Sequence, residues 1–167
     1  MNNYLFKEEQ KLRHNLLWTS ILLIPLIAMS SLLCYQLITG VTVGTENQVS
    51  NLSLSILVIC YGIPACCIIL FVKLSTFITE KKISYGWNVP TSELNELRID
   101  EIKTCQVITY KFVGWGYRLS RLYGTVHNVD GNRGLQIITK SESKILIGTH
   151  QAEELKKTIE KLKLVQH

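Results

Sequence analysis

Polar and apolar positions divide this chain into two regimes. Between Arg13 and Glu46 there is no Asp, Glu, Lys or Arg, and there is none between Glu46 and Lys73. A helix in a water-soluble domain must show a polar face, so uncharged runs of this length point elsewhere. Leu16–Ile38 reads LLWTSILLIPLIAMSSLLCYQLI, and Leu52–Val72 reads LSLSILVICYGIPACCIILFV. As helices they span about 34 Å and about 31 Å. A bilayer's hydrocarbon core is about 30 Å thick, so each can cross it. Each run holds one proline, Pro25 and Pro64, which a helix in a membrane bundle tolerates with a kink. The first run is longer than the core of a signal peptide, and no clear small-x-small cleavage pattern precedes Thr39. The pattern predicts a segment at 1–14 and a two-helix transmembrane hairpin at 15–72, with spans 16–38 and 52–72.

From Lys73 the period drops towards two. Leu74–Thr79 and Ile83–Val89 are β-rich, with the polar turn Glu80-Lys81-Lys82 between them. Further strands are expected at Leu94–Ile99, Cys105–Lys111, Gly124–Asn128, Gly134–Thr139 and Lys144–Ile147. Gly114-Trp115-Gly116 opens a loop, and Asp130-Gly131-Asn132 is a strong turn signal. The last stretch changes period again. Leu155, Ile159 and Leu162 fall at i, i+4 and i+7, a helical stripe, with Thr149 a plausible cap and Glu153 and Glu154 in the first turn. About seven strands followed by one amphipathic helix predict a domain at 73–167. A strongly bent antiparallel sheet, closed at one end by that helix, satisfies the order.

Charge sets the expected topology. Lys7, Lys11 and Arg13 precede the first run, the connection Thr39–Asn51 has no Lys or Arg, and the part after the second run holds the other fifteen of eighteen. Positive charge stays on the cytoplasmic side. Both termini are therefore expected in the cytoplasm, in a multi-pass protein of the cell (inner) membrane.

Several stretches together resemble a known family. They are Glu8-Glu9-Gln10, Gly114-Trp115-Gly116-Tyr117-Arg118, Asn128 through Gln136, Ile145-Leu146-Ile147-Gly148-Thr149, and Glu153-Glu154-Leu155. With the apolar hairpin, they make the chain similar to a family of small bacterial membrane proteins of unknown function. That family carries two N-terminal transmembrane helices and a pleckstrin-homology-like (PH-like) domain. The resemblance implies a PH-like antiparallel β-barrel with a C-terminal capping helix. It implies no activity. One departure is Lys140-Ser141-Glu142-Ser143, where a glycine turn is expected.

Chemistry is sparse. His14, His127, His150 and His167 are scattered, and no CxxC occurs. No phosphate loop and no G-x-S-x-G is present. The sequence points to no catalytic residue, no metal and no cofactor, and the positive charge is explained by topology without nucleic acid. The candidates are contacts to a membrane surface or a partner: Lys73, Lys81, Lys82, Trp115, Arg118 and Arg133. Juxtamembrane basic residues each gain about 1 kcal/mol against an anionic leaflet. The expected role is a non-catalytic, membrane-anchored binding or scaffolding module at the cytoplasmic face. Its partners would be the lipid bilayer, anionic lipid headgroups, a protein, or a homo-oligomer. The alternatives are an accessory or assembly subunit of a larger membrane complex, and an enzyme whose site is invisible to motifs.

Overall fold

A computed structural model describes residues 4–12, 15–42, 49–88, 93–111 and 116–162. The chain divides into two compact units, Leu12–Phe71 and the flanking Met1–Lys11 with Val72–His167.

The first unit is a pair of helices, α1 (Leu16–Thr39) and α2 (Asn51–Phe71). Their limits match the two apolar runs to within one residue. Asn15 starts α1, its side-chain oxygen accepting from the backbone N–H of Leu17 at 3.0 Å and of Trp18 at 3.3 Å. Gly40 ends it at φ +68°, and its N–H donates to the Gln36 carbonyl. The left-handed turn suits glycine because it has no Cβ to clash. The helices touch through small and polar groups. A Cβ on Gly62 would stand 3.0 Å from Leu26 Cδ1, and the Tyr61 hydroxyl donates to the Leu22 carbonyl at 3.2 Å. Large apolar residues such as Ile24, Ile27, Ile63 and Leu70 are exposed. A water-soluble surface rarely carries so much apolar area. Both helices are long and apolar enough to cross a membrane.

The second unit holds nine strands among the described residues and one helix. One four-stranded sheet runs in the order β1 (Phe6–Lys11), β2 (Lys73–Ile78), β3 (Lys82–Asn88) and β4 (Asn95–Arg98), all antiparallel. A 3-10 turn at Ile99–Glu101 leads to a five-stranded sheet. Its strands are β5 (Ile102–Thr109), β6 (Gly116–Ser120), β7 (Gly124–Asn128), β8 (Arg133–Thr139) and β9 (Lys144–Gly148), ordered β5-β8-β9-β7-β6. The helix α3 (Ala152–Lys161) follows. One core joins both sheets and α3. Phe6, Ile78 and Ile83 come from the first sheet, Leu135, Ile137 and Ile147 from the second, and Leu155 and Ile159 from the helix.

All seven strands expected from the sequence are present, and the expected helix is present too. Three features differ. First, residues 6–11 form β1, which pairs with β2 so that Lys11 lies opposite Lys73. The apolar hairpin is thus inserted between two adjacent strands. Its inward positions are Phe6, Glu8 and Gln10, and two polar residues on the inner face hide the alternation. Second, Gly116–Ser120 is the strand β6 where a loop was expected. Third, the strands form two sheets and not one bent sheet, and β7 runs parallel to β9. The short 129–132 connection reverses the chain between β7 and β8, and β9, antiparallel to β8, lies between them and so runs parallel to β7. The α+β composition is as expected, and the strands form two open sheets that are not clearly a PH-like barrel. The turn at Ser141–Ser143 lacks glycine because Glu142 itself takes φ +63°, held by the Ser143 N–H donating to Thr139 Oγ1 at 3.1 Å. Thr149, expected as the cap, stands two residues ahead of it. The N-cap position is Gln151, and the Gln151 N–H donates to Thr149 Oγ1.

Candidate functional site

The six residues proposed as surface contacts do not converge. Lys73 starts β2, and its ammonium donates to Glu9 Oε2 at 2.8 Å. That bond, despite partial desolvation, holds the Glu9 carboxyl below the usual carboxylate range. Lys82 starts β3 and meets Glu96 at 2.5 Å. Arg133 starts β8 and meets Glu153 of α3 at 3.1 Å. Such exposed pairs add little stability, but they neutralise the charge a lipid headgroup would seek. Lys81 is exposed in the β2–β3 turn, and Arg118 is exposed on β6. Trp115 lies outside the described residues.

Lys81 and Lys82 border a groove of about 990 Å³ on the first sheet. Phe77 and Ser84 line it, Tyr4 and Leu94 stand beside them, and Glu80, Glu93 and Glu96 share the rim. A rim with three carboxylates against two lysines is poorly matched to an anion. The sequence missed this balance because Glu93 and Glu96 reach the lysines only through the β3–β4 pairing.

A second feature is a buried polar seam where the two sheets meet. Gln10 Nε2 donates to the Gly148 carbonyl at 2.7 Å. The Thr149 hydroxyl donates to Glu8 Oε2 at 2.5 Å, and the His150 N–H donates to Glu8 Oε1 at 2.8 Å. Glu8 and Gln10 are both buried. A buried carboxylate is tolerable only with such donors. Beside the seam, His127 is 4% exposed and lies edge-on between the rings of Tyr85 and Tyr117. Among the described residues its Nδ1 has no hydrogen-bond partner, and burial lowers its pKa from the ordinary histidine value. Burial also pushes the Cys105 thiol and the Tyr110 phenol each up to about 12, with the Asp130 carboxylate adding to the second. A nucleophilic thiol needs the opposite shift. Among the described residues, no three His, Cys, Asp or Glu side chains gather as metal donors. This arrangement can hold the two sheets in register and present surfaces, and its perturbed groups are ones that burial has quieted.

Compared with known proteins, the chain matches no family model, no curated protein and no solved structure.

His127 makes stability depend on pH. Its folded-state pKa lies below its unfolded value of about 6.5, so the unfolded chain binds the proton more readily. Stability is complete above pH ~6.5 and falls as pH drops below it, towards the folded pKa. Thermal unfolding in detergent from pH 8 to 5 should show this decline. His127→Phe should flatten it. The Glu9 carboxylate, also depressed, acts only at lower pH, because its stabilisation is lost below its own ordinary value of 4.5.

Proposed function

We propose that the chain is a membrane-anchored, non-catalytic binding or scaffolding module at the cytoplasmic face of a cell membrane, its two-sheet unit a variant on the PH-like plan. The observation that carries this reading is the β1–β2 pairing around the apolar hairpin. Lys11 and Lys73 are opposite each other in one sheet. Val72 alone separates α2 from β2, and residues 12–15 separate β1 from α1. A hairpin whose two ends enter adjacent strands must return to the side it left. The placement of Lys and Arg supports the cytoplasm as that side. The helix α3 closing one core with both sheets supports the comparison with a PH-like plan. The buried Cys105 and His127 support a binding role over a catalytic one.

The reading is tested with the full-length chain in membrane vesicles. Its five cysteines are replaced by alanine, and single cysteines are placed by Asn47→Cys and Lys81→Cys. Carbonate washing should leave the protein in the membrane. An impermeant maleimide should reach position 47 only in right-side-out vesicles and position 81 only in inside-out vesicles. Release by carbonate, or labelling of position 81 from outside, would sink the anchored reading. Substrate turnover by the purified chain would sink the non-catalytic one.

A further inference from the structure

The edge strand β6 is unlike the rest of the charged unit. Tyr117 is 61% exposed, Leu119 80% and Leu122 72%. Among the described residues of this unit, the other exposed large hydrophobic side chains are Tyr4 at 44% and Leu5 at 38%. β6 pairs with β7 on one side, and no described strand pairs with the other. Natural sheets usually blunt such an edge, because its unpaired N–H and C=O groups recruit another strand. Here the edge is apolar and the chain segment that carries it is basic. From Lys111 to Val129 the sequence has three positive residues, Lys111, Arg118 and Arg121, and no acidic one.

We infer that β6 is a docking edge for an extended segment of a partner protein, one that alternates apolar and acidic residues and adds to the sheet as a sixth strand. The backbone row of β6 supplies the hydrogen bonds. Tyr117 and Leu119 project to one face and match apolar side chains across the new pair. Arg118 on the other face, with Arg121 in the turn, matches the acidic ones and disfavours a basic strand. This deepens the binding-module reading and rests on it.

Two other occupants fit less well. In an antiparallel pairing with a second copy, the register that sets Tyr117 against Leu119 also sets Arg118 against its own equivalent, a like-charge contact. A bilayer is disfavoured because its hydrocarbon cannot satisfy the unpaired N–H and C=O groups along β6.

The test uses the full-length protein in neutral-lipid nanodiscs and fluorescent octapeptides alternating valine with glutamate or valine with lysine. Anisotropy should show the glutamate peptide binding at least tenfold more tightly than the lysine peptide, and more weakly as salt rises. Leu119→Asp should lose most of that binding. Arg121→Glu, at an exposed turn, should narrow or reverse the preference, which a merely damaged protein would not do. No binding, equal binding of both peptides, or indifference to both substitutions overturns the proposal. So does a dimer in sedimentation that Leu119→Asp dissociates, which assigns the edge to a second copy. A probe at position 119 that enters an apolar environment only in anionic nanodiscs also overturns it, in favour of the bilayer. The vesicle labelling above does not depend on β6, so the anchored reading and this one fail separately.

Discussion

A chain in which Asn-Gly replaces residues 12–72 folds as a soluble, cooperatively unfolding domain, whereas residues 73–167 alone do not. The reason is the register Lys11↔Lys73. Two directly opposed antiparallel residues can be joined by a two-residue turn, and Asn-Gly suits the twist of such a hairpin. The shorter fragment loses all of β1. Phe6 leaves a core in which it is 2% exposed, a loss of about 3–5 kcal/mol for a large-to-small change of this kind. Glu8 and Gln10 go with it, and β2 becomes an open edge. Total stabilities are only about 5–15 kcal/mol, so the fragment should aggregate or remain unfolded. Size-exclusion chromatography and urea unfolding of the two chains decide the matter. A folded, monomeric 73–167 fragment would show that β1 is dispensable.

Within the joined domain, Glu8→Ala should cost about 3 kcal/mol, because it strips a buried hydroxyl and a partly buried N–H of their acceptor at about 1–3 kcal/mol each. Those donors are Thr149 Oγ1 and the His150 backbone. Glu8→Gln should fall between, since an amide oxygen still accepts one bond. Glu9→Ala is the contrast. Its partner Lys73 is partly solvated, and such pairs contribute at most about 1 kcal/mol. Urea midpoints at constant slope measure all three. If Glu8→Ala and Glu9→Ala cost the same, the seam is not what fastens β1 to the second sheet.

These two predictions concern the part of the chain that sequence patterns conceal. The apolar helices are legible because an uncharged run of lipid length leaves a helix no polar face to turn to water, and Leu16 and Phe71 fall within a residue of the expected limits. The stripe of Leu155 and Ile159 is legible because one face of α3 is buried and the other is not. β1 is hidden by Glu8 and Gln10, which read as surface residues until Thr149 and Gly148 arrive from some 140 positions away. β6 is hidden for the opposite reason. Its alternation is real, but Tyr117 and Leu119 stay exposed at an edge, so they look like loop residues. The candidate basic site was legible residue by residue but not as a set. Ion pairing depends on which strands meet, and Glu9, Glu96 and Glu153 reach Lys73, Lys82 and Arg133 only through the fold.

The interruption of one sheet by two apolar helices also orders the protein's synthesis. β1 is made first, yet its partner β2 is made only after both helices have emerged, and the donors for Glu8 come later still. The ribosome therefore delivers a strand that must wait, which makes folding slow and non-local. A chain that inserted with only one helix across the bilayer would strand β1 on the wrong side of it. Such a chain could never close its sheet or bury Phe6. Under the membrane-anchored reading, completion of the domain would act as a proofreading step on insertion, and mis-inserted copies would be left unfolded and open to proteolysis.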